Sequence, residues 1–195
     1  MTSPAEPAPE RVPRTEPARE AGPRTEPARE AGPRSEPSGA RRAQVVGTGL
    51  IGGSIGLALR SRGWVVTGSD AAAGRAERAL ELGAVDAVGD DPEAEVTFIA
   101  TPVSAVVAAA RAALGPDGRR PSRVVTDVGG VKGPIVSAVG NPRFVGGHPM
   151  AGSEQDGIDG ADRELFAGAT WVLTLGLDSL CPACASIGVT VSTPR

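Results

Sequence analysis

From residue 43 onward, short β-branched and aliphatic runs alternate with alanine-rich stretches whose apolar positions recur at helical spacing. That alternation predicts parallel βαβ units. Strands are expected at Ala43–Val46, Trp64–Gly68, Val85–Val88, Glu95–Ala100, Arg123–Thr126, Arg143–Gly146 and Thr170–Leu173. Helices are expected at Gly52–Arg62, Ala72–Leu82, Pro102–Leu114 and Pro134–Val139. Gly83 ends the second helix, and Pro102 sits in the first turn of the third, where a missing N–H costs nothing. The expected fold class is α/β, a doubly wound, mostly parallel sheet over residues 43–174. The chain has no tyrosine and only 3% aromatic residues, so Val, Ile, Leu and Ala must build the core, as suits a parallel sheet buried on both faces.

Residues 1–42 follow no such pattern. Pro13–Gly22 reads PRTEPAREAG, Pro23–Gly32 repeats it letter for letter, and a third copy decays after Pro33. With almost no large apolar side chain, the segment cannot offset the entropy of ordering itself. It is expected to be a disordered repeat tail. Residues 175–195 show no period either and are expected to form an irregular C-terminal extension. Cys181-Pro182-Ala183-Cys184 has the CxxC spacing, but one pair cannot complete a closed zinc site, and no metal site is expected.

The net charge is −3 with acids and bases interspersed, which gives no electrostatic case for nucleic acid or an anionic membrane. The longest apolar stretch, Thr97–Ala110, is broken by Thr101, Pro102 and Ser104 and falls short of the roughly 18 residues of a membrane span. Two cysteines are too few for a secreted disulfide scaffold. The N-terminus has no apolar signal core, and Arg41-Arg42 resembles a twin-arginine signal only superficially. The expected location is cytoplasmic.

Chemistry enters at Gly47-Thr48-Gly49-Leu50-Ile51-Gly52, which follows a predicted strand and opens a predicted helix. This is the spacing of the Rossmann dinucleotide fingerprint. Gly47 permits the tight turn, Gly49 lets backbone approach a pyrophosphate, and Gly52 lets helix and strand pack closely. The helix N-terminus at Leu50 and Ile51 then offers free N–H groups to phosphate. Asp70 stands 18 residues past Gly52, at the end of the second predicted strand. A carboxylate there accepts ribose hydroxyls and repels a 2′-phosphate, so NAD is the expected cofactor. Arg75 and Arg78 keep NADP as the alternative.

His148 is the only histidine, set in a glycine-framed loop, Phe144-Val145-Gly146-Gly147-His148-Pro149-Met150-Ala151-Gly152-Ser153-Glu154. Imidazole is the side chain whose ordinary pKa suits a neutral base near pH 7. The run from His148 to Glu154 resembles the HPMAGSE motif of the prephenate/arogenate dehydrogenases. Val125-Thr126-Asp127-Val128-Gly129-Gly130-Val131-Lys132 resembles that family's V-T-D-x-x-S-V-K segment. Ile99-Ala100-Thr101-Pro102-Val103 and Phe166–Thr174 are similar to its A-T-P-V turn and closing strand.

The resemblance implies NAD-dependent oxidative decarboxylation of prephenate to 4-hydroxyphenylpyruvate, in tyrosine biosynthesis. Arogenate with NADP is its alternative. It implies that His148 accepts the substrate's hydroxyl proton as hydride leaves. It also implies that Ser153, Glu154, Lys132 and position 130 line or gate the substrate, that Thr101 and Pro102 shape the nicotinamide edge, and that Asp127 orients its loop. Two departures stand out. Gly130 occupies the place of the family's serine. The mostly helical domain that makes the family's dimer and half its substrate pocket has no counterpart before Arg195. The expectation from the second departure is a truncated or frame-altered product, with a nucleotide-binding module lacking catalysis as the rival reading.

Overall fold

The computed structural model describes residues 39–115 and 124–174. The expected repeat tail, up to residue 38, and the C-terminal extension with its cysteine pair lie outside the described residues.

Seven strands form one sheet. They are β1 (Arg42–Val46), β2 (Val65–Ser69), β3 (Ala87–Val88), β4 (Val96–Ile99), β5 (Val124–Asp127), β6 (Phe144–Pro149) and β7 (Trp171–Thr174). The spatial order is β3-β2-β1-β4-β5-β6-β7. All pairings are parallel except β6 with β7, which is antiparallel. Between them run α1 (Leu50–Arg60), α2 (Arg75–Glu81), α3 (Val103–Leu114) and α4 (Gly133–Val139). Adjacent residues of β1 serve opposite faces. Val45 packs with Ile55, Val66, Ala79 and Val85 under α1 and α2. Val46 packs against the cluster of Ile99, Val106, Val125, Ile135 and Phe144 under α3 and α4. The sheet is therefore doubly wound, as the sequence predicts.

The differences are instructive. The first helix begins at Leu50 rather than Gly52, so its opening turn falls inside the glycine fingerprint. Helix α2 begins at Arg75 rather than Ala72, after Gly74 in the left-handed region (φ 76°). Pro102 is the N-cap of α3 rather than a residue of its first turn. The third strand shrinks to Ala87–Val88, because only Thr67 and Gly68 of β2 pair with it. A shift as large as that of α2 but of greater consequence is in β6, which continues past Gly146 to Pro149. His148 therefore lies on a strand, not in a loop. The reason is β7, whose Leu173 and Val172 pair with Gly147 and His148 after β5 has run out.

The segment after β6 turns back over α1. A short 3-10 helix, Ile158–Gly160, sets Ile158 against Gly53, where an added Cβ would meet Ile158 Cδ1 at 2.2 Å. The buried Ser54 hydroxyl donates to Leu50 O (2.7 Å) and accepts the Asp162 N–H (2.9 Å). No sequence feature announces this tether. No helix among the described residues is long and apolar enough to cross a membrane.

Candidate active site

Because β1 to β6 run parallel, their carboxyl ends share one edge of the sheet. Gly47 follows β1, Asp70 follows β2, Thr101 follows β4, Gly130 follows β5, and His148 lies near the end of β6. Strand order reverses between β1 and β4, and open α/β sheets bind ligands at such a switch point. Three strand spacings separate β1 from β6, about 14 Å at the edge.

The glycine turn is built as the fingerprint requires. Gly47 has φ +94°, and a Cβ there would lie 2.5 Å from Ala100 O, so the turn presses against the end of β4. A Cβ at Gly52 would lie 1.9 Å from Gly47 O, so only glycine lets α1 start this close to β1. Gly49 differs, since nothing lies within 4 Å of the position its Cβ would take. That open space adjoins the first turn of α1, which has neither a side-chain cap nor an acidic residue. The N–H groups of Leu50, Ile51 and Gly52 have no acceptor within the helix. An unobstructed, uncapped helix start of this kind fits a pyrophosphate.

Asp70 closes the other side of the turn. Its Oδ2 accepts the Thr48 N–H (2.7 Å), and its Oδ1 accepts the Ala72 N–H (2.8 Å). The carboxylate is 6% exposed, with Arg75 at 3.4 Å. The Thr48 hydroxyl also donates to Oδ2 (3.4 Å) and Arg75 Nη1 to Oδ1 (3.4 Å). The roughly four acceptor sites of the carboxylate thus all face protein donors, and ribose hydroxyls would take the places of these two long contacts. The fully buried Thr48, which the sequence reading passed over, is thus the link between the acid and the cradle. Arg78 is already engaged. It donates to Asp159 (2.7 and 3.0 Å) and Glu81 (3.0 Å). The bond to Asp159, then that to Glu81, raises its pKa above the ordinary guanidinium value.

At the other end, His148 is half-buried, and among the described residues neither imidazole nitrogen has a protein hydrogen-bond partner. Gly130 faces it. A Cβ at Gly130 would lie 3.6 Å from both Cε1 and Nε2, an ordinary contact distance. The structure thus brings position 130 to the imidazole. Thr101 carries a buried hydroxyl that has no partner among the described residues, at the switch point, and Pro102 beside it is exposed. Lys132 is turned inward. Its Nζ donates to Asp127 Oδ2 and to Gly147 O (2.7 Å). Ser153 and Glu154 lie exposed on the loop after β6. The Ser153 hydroxyl accepts the Gln155 N–H (3.1 Å), and neither side chain is hydrogen-bonded to His148.

A family model for the prephenate dehydrogenase nucleotide-binding domain matches residues 55–179, more than half of the chain. The chain belongs to the prephenate dehydrogenase family. Its match begins inside α1, so the glycine turn stands outside it. The prephenate dehydrogenase of Bacillus subtilis is 37% identical over 144 residues, 68% of this chain and 38% of that protein. Synechocystis arogenate dehydrogenase superposes with a TM-score of 0.63 at 31% identity, covering 77% of this chain and 58% of that one. The Aquifex aeolicus prephenate dehydrogenase, in complex with hydroxyphenyl propionate and NAD+, gives a TM-score of 0.68 at 26% identity, over 76% and 55%. The chain spans about two fifths of the length of the curated relatives it matches.

Proposed function

We propose that this chain binds NAD across the switch point and uses His148 as the base in the oxidative decarboxylation of prephenate. It acts in tyrosine biosynthesis and works in the cytoplasm. The observation that carries the reading is the imidazole of His148. It stands unpartnered among the described residues, on the same sheet edge as an uncapped glycine cradle. A histidine kept for structure spends its ring nitrogens on backbone or side-chain partners.

NAD, when bound, supplies the hydride acceptor. The chain's own residues do the rest. The α1 N-terminus and Gly49 hold the pyrophosphate. Asp70 accepts ribose hydroxyls, and its charge disfavours a 2′-phosphate. Thr101 and Pro102 border the nicotinamide, while Ser153 and Glu154 orient or gate the substrate. His148 withdraws the proton of the ring hydroxyl as the hydride departs from the same carbon. The ring carboxylate then leaves as carbon dioxide, and its bonding electrons complete the aromatic ring. Aromatisation supplies the driving force, so alignment and proton acceptance are the protein's main tasks.

Adding prephenate and NAD+ should produce NADH, read by its near-ultraviolet absorbance, with arogenate and NADP+ as parallel arms. Calorimetric binding of NAD+ without NADH formation would reduce the reading to nucleotide binding alone. No heat with either dinucleotide would remove it.

Two variants refine the assignment. Asn at position 70 keeps one acceptor, for the Thr48 or the Ala72 N–H, and loses the charge. Asp70→Asn should shift the ratio of NADP+ to NAD+ affinity toward NADP+ by about tenfold, ~1.4 kcal/mol. An unchanged ratio would remove Asp70 from cofactor selection. Gly130 accepts an L side chain, since its φ lies outside the left-handed range and its Cβ position is unobstructed. Gly130→Ser places a hydroxyl beside Nε2. It should raise turnover about three- to tenfold, the worth of one ordinary hydrogen bond. No gain would show that the imidazole needs no partner at that position.

A further inference from the structure

The side chain of Asp127 is wholly buried at the end of β5. Its Oδ1 accepts the Gly147 N–H (3.1 Å), and its Oδ2 accepts the Gly129 N–H (3.0 Å) and a proton of Lys132 Nζ. Lys132, with its side chain 12% exposed, donates a second proton to Gly147 O (2.7 Å). The peptide groups flanking Gly147 are therefore gripped from both sides, its N–H by the acid and its carbonyl by the base. Gly147 immediately precedes His148, and Gly129 immediately precedes Gly130, which faces the imidazole. Backbone pairing of β5 with β6 runs only as far as Thr126 with Val145, so a side chain takes over where the ladder stops.

We infer that the Asp127–Lys132 ion pair is a buried buckle that fixes the imidazole of His148 against position 130, making both of them positioning residues for the reaction. This rests on the reading of His148 as the base. Only a carboxylate can serve here. An asparagine turned either way points its NH2 at one of the two backbone N–H groups, so one peptide must be released. Lysine is equally specific. Its stem passes Gly146, where an added Cβ would lie 3.2 Å from Lys132 Cδ, and its head spans acid and carbonyl together. With one donor left and little exposure, Lys132 acts on the backbone under the base and not on the substrate.

His148 is the only histidine, so its ring proton signals are unambiguous in NMR spectra of the full chain. In the wild type, an Hα of Gly130 occupies the direction of the absent Cβ and should give a clear cross-peak to the ring Hε1. In Asp127→Asn and in Lys132→Met, the cross-peak should vanish or broaden while NAD+ affinity stays within about twofold of wild type. Turnover should fall about 10²-fold, the cost of misplacing a reacting group by about an ångström. On a His148→Asn background the same substitutions should cause no further fall. Lys132→Met leaves Asp127 its two backbone donors, so it carries the test if Asp127→Asn does not fold. A wild-type cross-peak in a folded variant would overturn the buckle, and so would an equal fall in turnover with and without His148. If His148 is not the base, its replacement leaves turnover unchanged, whereas the cross-peak still reports on the buckle.

Discussion

Replacing His148 with asparagine is expected to cut turnover of prephenate by about 10²- to 10⁴-fold, the usual worth of a positioned general base. Asparagine is close to imidazole in reach and keeps a hydrogen-bond donor and acceptor, but it cannot hold the proton. The affinity for NAD+ should stay at the wild-type value, because the cradle at Gly47–Gly52 lies about three strand spacings away. An unchanged melting temperature separates this loss from a general disturbance. The strand survives the substitution, since β6 holds position 148 by backbone pairing with Val172 of β7 and not through the ring. A mutant with an unchanged rate would transfer the proton to another group.

Much of this site is legible in the sequence because its features are local. The glycine spacing, the acid at the end of the second strand and the single histidine each sit in one short segment. Periodicity likewise yields the strands and helices, with ends displaced by at most three residues. What sequence could not supply is set by partners distant along the chain. His148 belongs to a strand because β7, over twenty residues later, pairs with it. The inward turn of Lys132 needs Gly147, fifteen residues on, as its second acceptor. Arg78 looks free to meet a 2′-phosphate until Asp159, 81 residues away, is found holding it. The tether of Asp162 to Ser54 spans 108 residues. Position 130 is a case between these. The resemblance marks it as a departure, but only the fold shows that the missing side chain would touch the imidazole.

The glycines of the turn offer the second large effect, because two of them should fail in different ways. In Gly52→Ala, the new methyl would stand 1.9 Å from Gly47 O and 3.0 Å from Val45 Cγ1. The first obstacle is backbone in a tight turn and cannot rotate away, so α1 must move off β1. A loss of about 3 kcal/mol is expected, at the upper end for overpacking, and the melting temperature should drop by about 10 °C. In Gly49→Ala, the methyl enters open space, and the backbone (φ −77°) already suits an L residue. The cost to folding should not exceed about 1 kcal/mol, since alanine is only a poorer N-cap than glycine. The same methyl, however, occupies the approach to the helix start. The affinity for NAD+ should therefore fall by at least about tenfold, ~1.4 kcal/mol, in a protein that melts nearly as the wild type does. Melting curves and calorimetry on the two variants distinguish a packing glycine from a ligand-approach glycine. If Gly49→Ala bound NAD+ like the wild type, the pyrophosphate would have to lie elsewhere. The open, uncapped start of α1 would then be a feature of packing and not a cradle.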